Sequence, residues 1–230
     1  MYYKSYCHKK VDKNFVEVIN LLNFNKINYW LCHGTLLGFI REKNLIPWDN
    51  DIDIAILETN FNIKKINYLM LSHGFKRKVK FIHDNLMTYT KGKDKEVDIN
   101  CYRYNKNFNN IYVRWYSPAN IFMKIIDAIT VAKNYDGKFK IIINLLYPFQ
   151  EFFIFLKKIL CKYNFFYKKK GYSHPVKFIK LLKKEKFMGI EVKIPYFYKE
   201  YLLHLYGKSW KIPKKNFNWS KDSPATILIK

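Results

Sequence analysis

Asp51-Ile52-Asp53 is a stretch of this 230-residue sequence whose residue types and spacing suit chemistry. In an extended strand, residues two apart face the same side, with Cα atoms roughly 7 Å apart. Both carboxylates then lean together while Ile52 turns away. Paired carboxylates are hard oxygen donors, suited to Mg²⁺ (or Mn²⁺) shared with substrate phosphates. Upstream lies His33-Gly34-Thr35-Leu36-Leu37-Gly38-Phe39-Ile40-Arg41. A helix that starts at Gly34-Thr35 presents free N–H groups and the positive end of its dipole, which suits a phosphate. Gly34 allows close backbone approach, so Gly34 and Thr35 are read as substrate-binding. Arg41, about two turns on, either reaches a phosphate bidentately or pairs with Glu42 or Asp49.

Asp98, in Glu96-Val97-Asp98-Ile99, lies in a second apolar strand. If that strand neighbours 51–56, Asp98 adds a third carboxylate, either as a metal ligand or as the acceptor of a proton from an attacking hydroxyl. The expected catalytic and metal-ligating set is therefore Asp51, Asp53 and Asp98. Asp49 and Trp48 join Gly34, Thr35 and Arg41 as expected substrate contacts. Trp48 stacks on a base or packs against the protein, and His33 touches phosphate or serves structurally. Asn50 is turned aside by the alternation.

The elements that must position these residues follow from periodicity. Val11, Phe15, Val18 and Leu22 predict an amphipathic helix over 10–24. Residues 29–32 read as a buried strand, 34–35 as a turn, 36–42 as a helix and 51–56 as a strand with one acidic face. A second helix is expected over 61–72, closed by His73-Gly74. Further strands are expected over 75–81, 86–90, 97–102 and 111–116, with a turn at 91–94. From 119 to 186 the sequence is apolar, aromatic and Lys-rich without strand alternation, and reads as helices, notably 141–146 and 152–170. A short extended piece (190–194), a helix near 198–205 capped at Tyr206-Gly207 and a Pro-containing tail complete the chain. The expected fold is α+β (mixed α/β): a catalytic core over 1–118, a basic, aromatic helical insertion over 119–186, and a C-terminal segment, 187–230, that packs back on the core.

A formal charge of +24 admits two origins. One is a polyanionic partner; the other is codon bias toward Lys, Asn, Ile, Tyr and Phe, which marks no site. No specific nucleic acid is expected. Cys7, Cys32, Cys101 and Cys161 form no Cys-x-x-Cys pair, which argues against a zinc knuckle and fits a reducing compartment. The N-terminus has no apolar signal region, and no run of about 18 uncharged apolar residues predicts a membrane-spanning helix. A cytoplasmic protein is expected. Residues 152–186 admit either peripheral contact with the inner face of an anionic membrane or packing on the core with solvated lysines.

The string Gly34-Thr35-Leu36-Leu37-Gly38-x-x-Arg41, followed by Ile46-Pro47-Trp48-Asp49-x-Asp51-x-Asp53, resembles the LicD family, which includes the fukutin-related transferases. Ile194-Pro195, Tyr201-Leu202, Tyr206-Gly207-Lys208-Ser209-Trp210 and Pro213 resemble the family's C-terminal signature. Asn50 and Lys208 depart from it, since members usually carry Asp at both places. The resemblance implies a nucleotidyltransferase-like core of the polymerase-beta superfamily. It also implies transfer of a phosphorylated alcohol, such as phosphocholine or ribitol phosphate, from a CDP-linked donor to a sugar hydroxyl of a glycan or lipid-linked glycan. Two rivals are a nucleotidyltransferase that releases pyrophosphate and a non-catalytic basic nucleic-acid-binding protein.

Overall fold

The computed structural model describes residues 11–78, 85–131, 137–163 and 165–228. The end of the strand expected at 75–81, together with Cys7, His8 and His83, lies outside them. Helix α1 (Lys13–Phe24) begins where the Asp12 carboxylate accepts the Phe15 N–H at 3.0 Å, satisfying one of the helix's free donors. Its inward face is Phe15, Val18, Ile19 and Leu22, at helical spacing. Val11 precedes the helix and is 44% exposed, so it does not extend that face.

Strand β1 (Tyr29–Leu31), helix α2 (His33–Glu42) and strand β2 (Asp51–Leu57) follow, then α3 (Asn60–Ser72). Next come β3 (Lys76–Lys78), β4 (Leu86–Thr90), β5 (Glu96–Tyr104) and β6 (Asn110–Pro118). Strands β2 and β5 run parallel, with Asp51 opposite Glu96 and Asp53 opposite Asp98. On its other side β5 pairs with β4, and at its C-terminal end with β6, both antiparallel. The result is one mixed sheet with helices α1 to α3 around it. Ile52, Ile54 and Ile56 of β2, Val97 and Ile99 of β5, and Trp30 of β1 belong to one contiguous core with the apolar face of α1.

Beyond β6 the chain makes a helical lobe of α4 (Ile121–Val131), α5 (Lys140–Leu146), a 3-10 turn (Tyr147–Phe149) and α6 (Gln150–Leu160). The helical reading of 119–186 stops there. Residues Tyr167–Pro175 form a strand, β7, paired along its whole length with β6 and also with β10 (Thr226–Leu228). A short helix α7 (Lys177–Lys180) leads into β8 (Leu182–Phe187), which pairs with β9 (Ile190–Pro195) as a separate hairpin. Met188 and Gly189, both at positive φ, make its turn, as a two-residue hairpin of this kind requires. Thus 167–187 is largely strand, set by pairing partners far away in sequence. Helix α8 (Tyr198–Tyr206) ends at Gly207 (φ 76°), whose N–H donates to Leu203 O at 2.9 Å. A one-turn helix α9 (Trp219–Asp222) precedes β10. No described helix is long and apolar enough to cross a membrane.

Candidate active site

Three acids come together at the start of β2. Carboxylate oxygens of Asp49, Asp51 and Asp53 all lie within 4.8 Å of one another. Asp49 lies just upstream of the strand, yet the series 49, 51, 53 keeps the alternation of β2, and Asn50 is exposed on the other side. Of the expected metal set of Asp51, Asp53 and Asp98, Asp51 and Asp53 are in this trio, and Asp98 lies outside its 4.8 Å grouping. It faces the same cleft from the neighbouring strand, beside Asp53. Asp49 reaches the cluster along its own strand, whereas Asp98 approaches it from across the sheet.

The start of α2 holds Asp53 in place. The Gly34 N–H donates to Asp53 Oδ2 at 3.1 Å, and Asn100 Nδ2 lies 3.4 Å from Asp53 Oδ1. The Asp53 N–H donates to Thr35 Oγ1 at 2.7 Å. Thr35 is buried and does not line the cleft; its hydroxyl ties helix to strand. Gly34 and Thr35 sit inside the first turn of α2, which starts at His33 rather than after a separate turn. A Cβ on Gly34 would stand 2.1 Å from Asp49 Oδ2 and 3.4 Å from Asp53 Oδ2. The glycine therefore makes room for the acids themselves.

Lys95 braces the Asp49 loop from behind. Its ammonium donates to the backbone carbonyls of Asp49 and, at 3.3 Å, Ile46. Its own backbone is held from α1: Asp12 Oδ2 accepts the Lys95 N–H at 3.0 Å, and the buried Asn14 donates to Lys91 O and Lys95 O, both at 2.9 Å.

Crowding leaves its mark on the acids. Desolvation at the cleft floor, then the charge of Asp51, pushes Asp49 up to about 7. Asp53 is pushed well above the usual carboxylate range by desolvation, then by Asp51, Asp49 and Asp98. Groups that repel one another this way are relieved by a cation among them. The donor set is all carboxylate oxygen, which fits a hard divalent ion. The trio can hold a metal ion.

The cleft, about 530 Å³, is open above this floor. One wall is aromatic: Trp115 lies 5.0 Å from Tyr172 and 4.7 Å from Trp219, ring centre to ring centre. The C-terminal segment beyond α8 supplies another, including Trp210, Lys214, Lys215 and Phe217. Trp48 lines the cleft and is 39% exposed, with Lys215 Nζ 5.5 Å from its ring centre. Arg41 also lines it but pairs with Glu42 at 2.5 Å, and its Nη1 lies 3.5 Å from Trp210 O. Arg114 reaches the cleft from β6, and its Nε is buried without a hydrogen-bond partner among the described residues. His33 Nε2 lies 3.2 Å from Tyr102 Oη. Burial lowers its pKa to about 4, leaving the ring neutral at pH 7.

Sequence reasoning brought Asp49, Asp51, Asp53, Asp98, Gly34, Trp48 and Arg41 to this cleft. It missed Asn100, Lys95, Arg114 and the aromatic wall. Asn100 carries the same signal as Asp98, lying two residues on along the same face of β5. Lys95 and the wall carry no local signal.

The chain is similar to several known proteins. Human ribitol-5-phosphate transferase FKTN is 25% identical over 205 residues, which take in 88% of this chain and 33% of that protein. The lipopolysaccharide cholinephosphotransferase LicD of Haemophilus influenzae is 62% identical over 29 residues, 13% of this chain and 11% of that one. A lincosamide antibiotic adenylyltransferase, LnuA, in its lincomycin-bound crystal structure has a TM-score of 0.44 at 13% identity, covering 84% of this chain and 85% of that one. The chain spans about a third of the length of FKTN and less of LicD. The model of the LicD/FKTN/FKRP nucleotidyltransferase domain matches residues 26–153, more than half of the chain and the part that carries Asp49, Asp51, Asp53 and Asp98. This chain belongs to the LicD/FKTN/FKRP family.

Proposed function

We propose that the chain transfers a phosphorylated alcohol, phosphocholine or ribitol phosphate or a close relative, from a CDP-linked donor to a sugar hydroxyl of a glycan or lipid-linked glycan. The observation that carries this reading is the acid trio with Asp98 beside it on the adjacent strand. Family membership and the phospho-alcohol transferases among its relatives support it. Asp49, Asp51 and Asp53 would hold Mg²⁺ or Mn²⁺. When bound, the ion neutralises charge on the donor's diphosphate and on the departing CMP.

The protein's own groups do the rest. The Gly34 N–H and Asn100 orient Asp53. The Arg114 guanidinium offers its unused Nε–H to phosphate oxygens, and Arg41 contributes N–H groups not taken by Glu42. Trp48 and Lys215 flank the cleft where a base can stack. The acceptor oxygen attacks the alcohol-bearing phosphorus, a new P–O bond forms, and the bond to the CMP oxygen breaks. Asp98 accepts the acceptor's proton.

The test is a donor screen over CDP-choline, CDP-ribitol and CDP-glycerol, with Mg²⁺ and with release of CMP as the readout. Asp53→Ala is expected to lower turnover by at least about two orders of magnitude, since losing even a partner of a metal ligand costs about 10–100-fold. Near wild-type turnover in that variant would refute the metal assignment. Pyrophosphate in place of CMP, from a nucleoside triphosphate, would move the chain to the nucleotidyltransferase reading.

A further inference from the structure

The helical lobe has an apolar surface where a soluble protein would have a polar one. Along α6, Phe152, Phe155 and Ile159 recur at spacings of three and four, which puts them on one face. Phe152 is 59% exposed and Phe155 60%. On α5 and the 3-10 turn, Ile141 (78% exposed), Leu145 (72%) and Phe149 repeat at spacings of four. The opposite sides of these helices are already used: Ile143 and Ile154 are buried. The outward residues are therefore a second apolar face rather than a loosely packed core.

Charge indicates what covers it. Exposed Lys124, Lys138, Lys158 and Lys162 lie on and between these helices, whereas Glu151 is the one exposed acid among the described residues of 121–163. Asp127 is spent on Lys157 at 2.9 Å. Aromatic and aliphatic side chains flanked by lysines suit the boundary of an anionic bilayer, with rings at the headgroup level and ammonium groups on lipid phosphates. A second copy of the chain fits poorly, because a twofold contact sets each patch against itself and so brings like lysines together on a chain of formal charge +24. No described helix is long and apolar enough to span, so the lobe would lie on the membrane.

We infer that α5, the 3-10 turn and α6 form a membrane-docking face for anionic lipid surfaces. Of the contact expected over 152–186 this face keeps only 152–160 and adds 140–151, because 167–175 and 182–187 are strands. The inference does not rest on the transfer reading, and its test needs no turnover.

Flotation with vesicles of phosphatidylcholine alone, or with 30% phosphatidylglycerol, decides it (about one lipid in three being an order-of-magnitude match to an anionic leaflet). The chain is expected to float with anionic vesicles and much less with neutral ones. The exposed-site variant I141S/L145S/F152S/F155S, with circular dichroism and Tm unchanged, is expected to lose at least about tenfold in binding. K158Q/K162Q is expected to lose about 30-fold, from roughly fivefold per lysine. Failure of the wild-type chain to bind, or wild-type binding by the folded serine variant, overturns the inference. So does a wild-type dimer that the serine variant converts to monomer without vesicle binding, which would give the face to a second copy.

Discussion

The cleft and the helical lobe are built from similarly apolar sequence, yet they use it in opposite ways. Around the cleft, the isoleucines of β2 turn inward and the acids outward, and the polar groups behind them are secured over long sequence distances, Asn14 by Lys91 and Lys95 and Asp53 by Gly34 and Asn100. In the lobe, a small satellite cluster of Met123, Cys161 and Tyr167 replaces the continuous core, and large apolar side chains face outward. Apolar content thus does not separate core from surface in this chain. What separates them is whether the helix has a sheet to cover. Helix α1 lies against the main sheet and the β8–β9 hairpin, whereas α5 and α6 pack chiefly on α4 and the 3-10 turn between them. The cleft region is expected to be rigid and precise, and the lobe to be held by few interactions.

Gly34→Ala puts the largest expected effect on the precise side. Its Cβ would meet Asp49 Oδ2 at 2.1 Å, so the acids must spread. Apparent Mg²⁺ affinity should fall by about 100-fold, the upper range for a displaced supporting group. Ala favours a helix over Gly by about 1 kcal/mol, so Tm without metal should hold or rise. Titration calorimetry and a thermal melt on the same sample check both halves. A melt that collapses together with metal binding would mean that Gly34 serves the fold rather than the acids.

The same contrast governs what the sequence discloses. Alternation carried Asp51 and Asp53 to one face and extends to Asp49, whose place in the metal-compatible trio is the same parity read one step further upstream. It also reaches Asn100 from Asp98. These are local signals, set by the pleat of a single strand. The strand at Tyr167–Pro175 has no such signal: Lys168, Lys169 and Lys170 give neither alternation nor an apolar run. It is extended because β6 and β10 flank it, and pairing across that distance is invisible in a local window. The aromatic wall has the same origin, since Trp115, Tyr172 and Trp219 meet only once β6 and β7 are paired and α9 is folded back. Thr35 shows a subtler limit: the start of a helix announces free N–H groups, but here the Gly34 N–H goes to Asp53 and the Thr35 hydroxyl accepts from the strand.

On the lobe side, Lys157→Met should loosen α4 against α6 alone. Lys157 Nζ pairs with Asp127 Oδ1 at 2.9 Å, with side chains 7% and 25% exposed, and Tyr167 donates to the same oxygen at 3.1 Å. Breaking a fully buried pair costs about 3–5 kcal/mol. With Asp127 partly in water and still bound by Tyr167, about 2 kcal/mol is expected here. Amide exchange should speed up across 121–160 while β2 and β5 keep their protection. Loss of protection in β2 would mean that the lobe is part of the core's cooperative unit, and the contrast drawn above would fail.

The smallest effect separates the two regions by pH. Asp49 is raised to about 7 by desolvation and then by Asp51. A carboxyl raised in the fold binds more protons there than in the unfolded chain. Its contribution to stability is therefore present below its ordinary value of 3.8 and is lost as pH rises through about 7. In metal-free protein the acid cluster should lose stability over that window. Mg²⁺ must displace the Asp49 proton, so its apparent affinity should rise by about tenfold between pH 6 and pH 8 for a group titrating near 7. The Tm gain from Mg²⁺ should grow accordingly. The acid trio and Asp98 all lie outside the lobe, so exchange in the described residues of 121–160 should respond little to metal or pH across the same range. A flat Mg²⁺ affinity from pH 6 to 8 would show that Asp49 is already ionised and stands apart from the other two acids, which would return the third metal ligand to Asp98.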